Sequence, residues 1–115
     1  MALVPDCIFC KIITGEIPAD IVYRNENVVA FNDLNPQAPT HVLLIPTLHT
    51  ENAAGVARNS PTITAALFLA ADEIATERAL SGYRTVFNTG EDAGQSVFHA
   101  HLHLLGGRAM AWPPG

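Results

Sequence analysis

The run Phe98-His99-Ala100-His101-Leu102-His103-Leu104 decides how this chain is read. Apolar and polar residues alternate through it without a break, the pattern of a half-buried β-strand. Successive side chains on a strand point to opposite faces. Phe98, Ala100, Leu102 and Leu104 therefore share an apolar face, and His99, His101 and His103 line the other. The chain has five histidines, and three of them stand in this run. With a rise of about 3.3 Å per residue, neighbouring histidines lie roughly 6.6 Å apart and the outer pair roughly 13 Å apart. A metal ion holds nitrogen ligands at about 2.0–2.1 Å. It could take two neighbours but hardly all three on a regular strand, so the three histidines divide their work.

The rest of the chain sets the limits. A length of 115 residues gives one domain, 1–115, with a genuine core and no room for a second. Six Lys and Arg against eleven acidic residues leave a formal net charge of −5. That balance argues against a surface that coats nucleic acid, because no basic cluster is present to displace counterions. The start, Met1-Ala2-Leu3-Val4-Pro5-Asp6, has neither the basic nor the apolar region of a secretory leader. No apolar run reaches the length of a membrane span, and two cysteines do not make a disulfide scaffold. The expectation is a soluble cytoplasmic protein.

Residues 7–13 read as a short helix with Asp6 as N-cap and Gly15 just past its end. Residues 21–23 and 28–31 form a hairpin across a polar turn, and residues 41–45 form a third strand stopped by Pro46. Residues 50–56 are read as a short helical turn. Ser60 and Pro61 open a long helix whose stripe is Ile63, Leu67, Ala70, Ala71 and Ile74, ending near Leu80 before Ser81-Gly82. Residues 83–87 are a fourth strand, residues 88–96 a glycine-bearing loop, and the histidine run the fifth strand. The order predicts an α+β fold: an antiparallel sheet of about five strands, one face carrying the long helix, with one short N-terminal helix.

The loop before the histidines is a candidate anion site. Gly94 lets backbone N–H groups approach a ligand, and Gln95 and Ser96 add neutral donors; a plain wide hairpin loop is the bland alternative. Near the motif Arg108 is the available cation, whereas triphosphate sites use Lys, Arg or Mg²⁺ to neutralise charge. Imidazole, hydroxyl and amide groups better suit a phosphate carrying about one negative charge. His101 could be a nucleophile toward phosphorus, a general base or a metal ligand, and spacing does not choose among these.

Cys7 and Cys10 have the spacing of a zinc knuckle and need two more ligands. His49 and His99 are the natural ones, leaving His101 and His103 free; the alternative is two reduced thiols in a short helix. His41 opens a strand and either hydrogen-bonds in the core or supports the histidine cluster. Asp33 suits two vicinal hydroxyls, or caps a turn before Asn35-Pro36. Ile8, Phe9, Ile12, Phe31 and Leu34 wall a flat apolar slot for a base, or are core.

Taken together, these residues resemble the histidine-triad family. His99-Ala100-His101-Leu102-His103-Leu104-Leu105 is similar to its His-x-His-x-His signature. Ile17-Pro18, Phe31-Asn32-Asp33, Pro36-Gln37-Ala38-Pro39-Thr40-His41, Asn88, Gly94-Gln95-Ser96, Gly106-Gly107-Arg108 and Trp112-Pro113-Pro114-Gly115 look like its Hint branch. The tail also separates the chain from the diadenosine-polyphosphate hydrolase branch. The resemblance implies a purine nucleoside phosphoramidase acting on adenosine or guanosine 5′-phosphoramidates. His101 would attack phosphorus, expel an amine and form a nucleotidyl-histidine that water hydrolyses. His103 and Ser96 would hold the phosphoryl oxygens and leaving nitrogen, with His41 supporting the network. Asp33 would bind the ribose hydroxyls with Leu34 beside it, and Asn88, Gly94 and Gln95 would face the phosphate. It further implies a homodimer with the sheet continued across the two-fold axis, Trp112 reaching the partner's site. Catalysis would need no cofactor. Many Hint proteins lack the cysteine pair, so Cys7, Cys10, His49 and His99 match zinc-bearing members, where the metal would be structural and its chelation would lower stability before altering chemistry. The competing readings are a dinucleoside polyphosphate hydrolase or nucleotidyl transferase, a non-catalytic dimeric nucleotide-binding module and, last, a metal-dependent hydrolase.

Overall fold

The central strands are buried on both sides, because one sheet face carries the long helix and the other the short N-terminal one. The structure, a computed structural model, describes residues 3–115; residues 1 and 2, where the leader reading begins, lie outside the described residues. The strands are β1 (Ile21–Arg24), β2 (Val28–Asn32), β3 (Thr40–Pro46), β4 (Tyr83–Phe87) and β5 (Leu102–Gly106). They form one sheet in the order β1-β2-β3-β5-β4, with every neighbouring pair antiparallel. The α+β expectation of five strands holds. No helix among the described residues is long and apolar enough to cross a membrane.

One face packs on helix α3 (Pro61–Glu77). Val28 and Ala30 of β2, Val42 and Leu44 of β3, and Leu102 and Leu104 of β5 meet Ile63, Leu67, Ala70, Ala71 and Ile74, the stripe expected from helical spacing. Each fully buried aliphatic side chain there contributes about 1.5–3 kcal/mol of transfer free energy. Ser60 caps α3 by accepting from Ile63 N–H at 3.1 Å, and Pro61 sits in the first turn, where its missing N–H costs nothing. The helix stops at Glu77 rather than near Leu80. Ala79 adopts a left-handed φ of 54°, and Leu80 N–H turns back to the Ala75 carbonyl at 3.0 Å.

The opposite face carries α1 (Ile8–Thr14). Phe9 and Ile12 pack there on Val29, Phe31, Leu43 and Ile45. The N-cap of α1 is Cys7, not Asp6: its sulfur accepts from Cys10 N–H at 3.4 Å. Gly15 ends the helix at φ 85°, a conformation that costs glycine little. The turn expected over residues 50–56 begins later, as α2 (Ala53–Asn59), because the Asn52 side chain caps it by accepting from Gly55 N–H at 2.9 Å. The loop of residues 88–96 contains a single 3-10 turn, Glu91–Ala93.

The histidine run departs from the expected strand. Its ladder begins at Leu102, opposite Leu44; carried further, that register would set Ala100 against Pro46, which has no N–H to give. Ala100 N–H goes instead to the Thr50 carbonyl at 2.7 Å. The side-chain alternation nevertheless survives from His99 to Leu104, with Ala100, Leu102 and Leu104 in the α3 core. Phe98 leaves it and is exposed.

Candidate active site and metal centre

Register places the histidines. His103 pairs with Leu43, and His41 with Leu105, so His41 and His103 stand on the sheet face that carries α1. Hydrogen bonds then fix which nitrogen of each ring holds the proton. Gln37 N–H donates to His41 Nδ1 at 3.0 Å, which leaves the His41 proton on Nε2. That nitrogen lies 2.9 Å from His103 Nδ1 and 3.4 Å from Asp33 Oδ2. His103 therefore accepts at Nδ1 and carries its own proton on Nε2, an atom that is buried and without a hydrogen-bond partner among the described residues. An orphaned buried donor is costly unless something arrives to accept from it. His101 is oriented the other way: its Nδ1 lies 2.9 Å from the His99 carbonyl, which can only accept. With its Nδ1 proton held there, the ring has Nε2 left to carry the lone pair.

The rings are close enough to act together. The centroids of His101 and His103 are 5.1 Å apart, nearer than a regular strand would hold them. Burial lowers the His103 pKa to about 4, with His101 and His41 acting the same way and Asp33 opposing. Burial also lowers the pKa of His41, again against Asp33. Both rings are thus neutral near pH 7.

Beside them a cleft of about 220 Å³ runs between α1 and β2, walled by Ile8, Phe9, Ile12, Phe31 and Leu34, with Asp33 at its rim. The five residues expected to wall an apolar slot do line this one cleft. Phe9 has a second contact that the sequence did not disclose, its ring standing edge-on to His101 at 5.1 Å. Asp33 Oδ1 accepts from Asn35 N–H at 2.8 Å, so the turn-capping use and the rim position coexist. A larger cleft of about 730 Å³, between the end of α3 and the start of β4, has Arg78, Arg84 and Arg108 in its walls but no histidine, cysteine or carboxylate. The smaller one holds two carboxylates, Asp20 and Asp33, and adjoins the imidazoles through Phe9, whose ring is 5.1 Å from that of His101. Arg108 is committed to backbone, donating to the carbonyls of Gln37 at 3.0 Å and Ala109 at 3.2 Å.

The remaining candidates are scattered. Gln95 is buried and its side chain holds its own loop: it donates to the carbonyls of Glu51 at 2.8 Å and Val97 at 3.0 Å and accepts from Gly90 N–H at 2.9 Å. Gly94, at φ 93°, lets the chain turn there. Ser96 is exposed, and no hydrogen bond joins it to the imidazoles among the described residues. Asn88 is half-buried at the end of β4. Leu34 and Trp112 are 99% and 83% exposed, so neither is held by this chain alone.

Cys7, Cys10, His49 and His99 come together as their spacing suggested, with ligand atoms all within 4.8 Å of one another. His99 Nδ1 lies 3.4 Å from Cys7 Sγ and 3.5 Å from Cys10 Sγ, and His49 Nδ1 lies 3.5 Å from Cys10 Sγ. A tetrahedral zinc, with sulfur at about 2.3 Å and nitrogen at about 2.0–2.1 Å, has sulfur–nitrogen edges of about 3.5 Å. The donor set and its dimensions fit a closed structural zinc site. His99 Nε2 donates to the Pro46 carbonyl at 3.0 Å, which fixes the tautomer with a free Nδ1 and supplies the outer support usual for a metal-bound histidine. Without a metal, burial pushes the Cys10 thiol pKa up. Gln37, Pro46 and Thr50 act through backbone groups, and no side-chain pattern could have singled them out.

Comparison with known proteins agrees with this architecture. The HIT domain family model matches residues 14–110. A 14 kDa zinc-binding protein of Zea mays is 48% identical over 112 residues, covering 94% of this chain and 87% of that one. The crystal structure of a HIT family hydrolase from Legionella pneumophila Philadelphia 1 superposes with a TM-score of 0.91 at 48% identity, covering 96% of this chain and 100% of that one. A histidine triad nucleotide-binding protein from Candida albicans superposes with a TM-score of 0.80 at 30% identity, covering 94% and 83%. With a match over most of its length and the triad in place, this chain belongs to the HIT domain family.

Proposed function

We propose that the protein is a purine nucleoside phosphoramidase of the Hint branch. The observation that carries this reading is the pairing of a free Nε2 lone pair on His101 with an unpartnered, buried N–H on His103. One is a nucleophile and the other a donor for a phosphoryl oxygen or the leaving nitrogen. A base entering the slot stacks between Ile8 and Phe9 on one wall and Phe31 and Leu34 on the other, and Asp33 takes the ribose hydroxyls. The phosphorus then stands before His101 Nε2, which attacks as the P–N bond breaks and the amine departs with a proton. Water hydrolyses the resulting nucleotidyl-histidine, so that one difficult displacement becomes two easier ones. Ser96 and the backbone around Asn88, Gly94 and Gln95 form the phosphate side. Kinship with a HIT family hydrolase and a histidine triad nucleotide-binding protein supports hydrolysis and nucleotide binding.

Low local charge favours a phosphoramidate over a dinucleoside polyphosphate, since Arg84 and Arg108 are turned to backbone carbonyls. The metal cluster would have no part in bond breaking; zinc there ties α1 to the segment after β3 and to the histidine run. Reduced thiolate ligands suit a cytoplasmic location. The single domain would work as a homodimer: Phe68, Leu69 and Tyr83 are exposed apolar residues on α3 and β4, and β4 has an open edge. Its partner would then receive Trp112.

Turnover of paired adenosine and guanosine 5′-phosphoramidates, with AMP or GMP as product and a nucleotidyl adduct by intact mass, tests the reading. Hydrolysis of dinucleoside polyphosphates at a higher rate than either phosphoramidate would replace it. Tight AMP binding with no adduct and no turnover would leave a binding module.

A further inference from the structure

The metal cluster and the nucleophile are built from the same residues. His99 turns its ring nitrogen to the two sulfurs, while its backbone carbonyl holds the His101 Nδ1 proton at 2.9 Å. Between Cys7 and Cys10 lie Ile8 and Phe9, both walls of the slot. The Phe9 ring stands edge-on to His99 at 5.9 Å and to His101 at 5.1 Å. Whatever fixes the two sulfurs thus fixes one wall of the slot and the ring of the nucleophile.

Resting on the nucleotide-site reading above, we infer that Cys7 and Cys10 form an oxidation-sensitive latch on that site, closed while both thiolates share a metal with His49 and His99 and opened when a peroxide joins the two sulfurs. Cys7 is half-buried and Cys10 buried, so an oxidant reaches Cys7 first. The Cys7 thiolate attacks one peroxide oxygen, breaking the O–O bond to give a sulfenic acid and hydroxide. The Cys10 thiolate then displaces the sulfenic hydroxyl, again as hydroxide. Two electrons pass from sulfur to oxygen, two protons from solvent complete two molecules of water, and the divalent ion leaves because neither sulfur retains thiolate charge. The sulfurs already lie within 4.8 Å and must close to about 2.05 Å. That movement draws both from His99 Nδ1, and the fully buried ring loses the partners on that side while α1 shifts with Phe9.

The test uses the full-length, zinc-loaded, reduced protein and a small excess of hydrogen peroxide. Expected are release of one zinc per chain to a chromophoric chelator, a mass lower by two hydrogens than the reduced metal-free chain, and displacement of the His101 imidazole resonances. AMP affinity should weaken by about tenfold, roughly 1.4 kcal/mol, and thiol reductant with added zinc should restore it. The latch is overturned if the folded, oxidised, zinc-free protein binds AMP as tightly as the zinc form with unmoved His101 resonances. It is also overturned if zinc stays bound through the treatment, or if oxidation simply unfolds the chain by circular dichroism. Cys7→His keeps four ligands but leaves Cys10 without a partner sulfur. Whatever its starting affinity, peroxide should leave it within about twofold, and a parental-sized loss would sink the latch. Failure of the reduced, zinc-loaded protein to turn over phosphoramidates would count against the proposed reaction alone, since AMP affinity and imidazole resonances report the latch without turnover.

Discussion

His41 Nε2 stands 2.9 Å from His103 Nδ1, in the middle of a row that starts at the Gln37 N–H and ends at the unpartnered N–H of His103. The row leaves the His103 proton on Nε2. Replacing His41 by Ala removes the donor and frees both His103 tautomers. For a hydrogen bond worth about 0.5–1.5 kcal/mol, kcat on a phosphoramidate should fall about threefold to tenfold with KM nearly unchanged. A rise in KM at constant kcat would place His41 in binding instead.

His101→Asn removes the nitrogen proposed to attack phosphorus while keeping a polar side chain in the space. Turnover should drop by more than about a thousandfold, no nucleotidyl adduct should form, and AMP should still bind within a few-fold of the parent. Steady-state rates, intact mass and calorimetry measure the three quantities.

Burial holds His103 at about 4 against an ordinary 6.5. Between those values the unfolded chain takes up a proton that the folded chain refuses. Stability is therefore full above about pH 6.5 and falls as pH drops toward about 4, by at most about 1.4 kcal/mol per pH unit for this group. The lowered pKa of His41 acts in the same direction. Urea midpoints between about pH 4 and 7 should slope less steeply in His103→Gln than in the parent; parallel slopes would remove His103 as a source.

A structural metal contributes to the fold and not to bond breaking. Chelation should lower the thermal midpoint by more than about 5 °C. Cobalt(II) exchanged for zinc should give a thiolate-to-metal absorption band with kcat within about twofold. A large change in kcat with the metal's identity would argue for a direct catalytic role.

On the other side of the sheet, Leu67 is fully buried against the strands. Leu67→Ala should cost about 2–5 kcal/mol in denaturant unfolding while KM stays the same under conditions where the variant is folded.

Much of this was legible in the sequence because side-chain parity carries it. The stripe of α3 and the alternation from His99 to Leu104 are direct readouts of helix and strand periods, and the spacing of Cys7 and Cys10, together with His49 and His99 as candidate ligands, pointed to a group the structure does bring together. What escaped was set by backbone groups. The strand starts at Leu102 because Pro46 offers no N–H to Ala100. The helix ends at Glu77 because Ala79 turns left-handed, a conformation that nothing about alanine foretells. The double contact of Phe9 depends on α1 crossing the sheet beside His101, a tertiary fact with no local signature. Ser96, plausible by proximity in sequence, is exposed, and its place beside a phosphate would depend on the bound ligand.

Parity also makes the histidine segment intolerant of a change in length. Losing one residue within 101–104 would swap the two sides, driving an imidazole into the leucine layer under α3 and turning a leucine to the opposite face. Point substitutions from Ala100 to Leu104 are therefore separable by parity, those at Ala100, Leu102 and Leu104 felt in the core under α3 and those at His101 and His103 on the opposite face, whereas a deletion disturbs both at once.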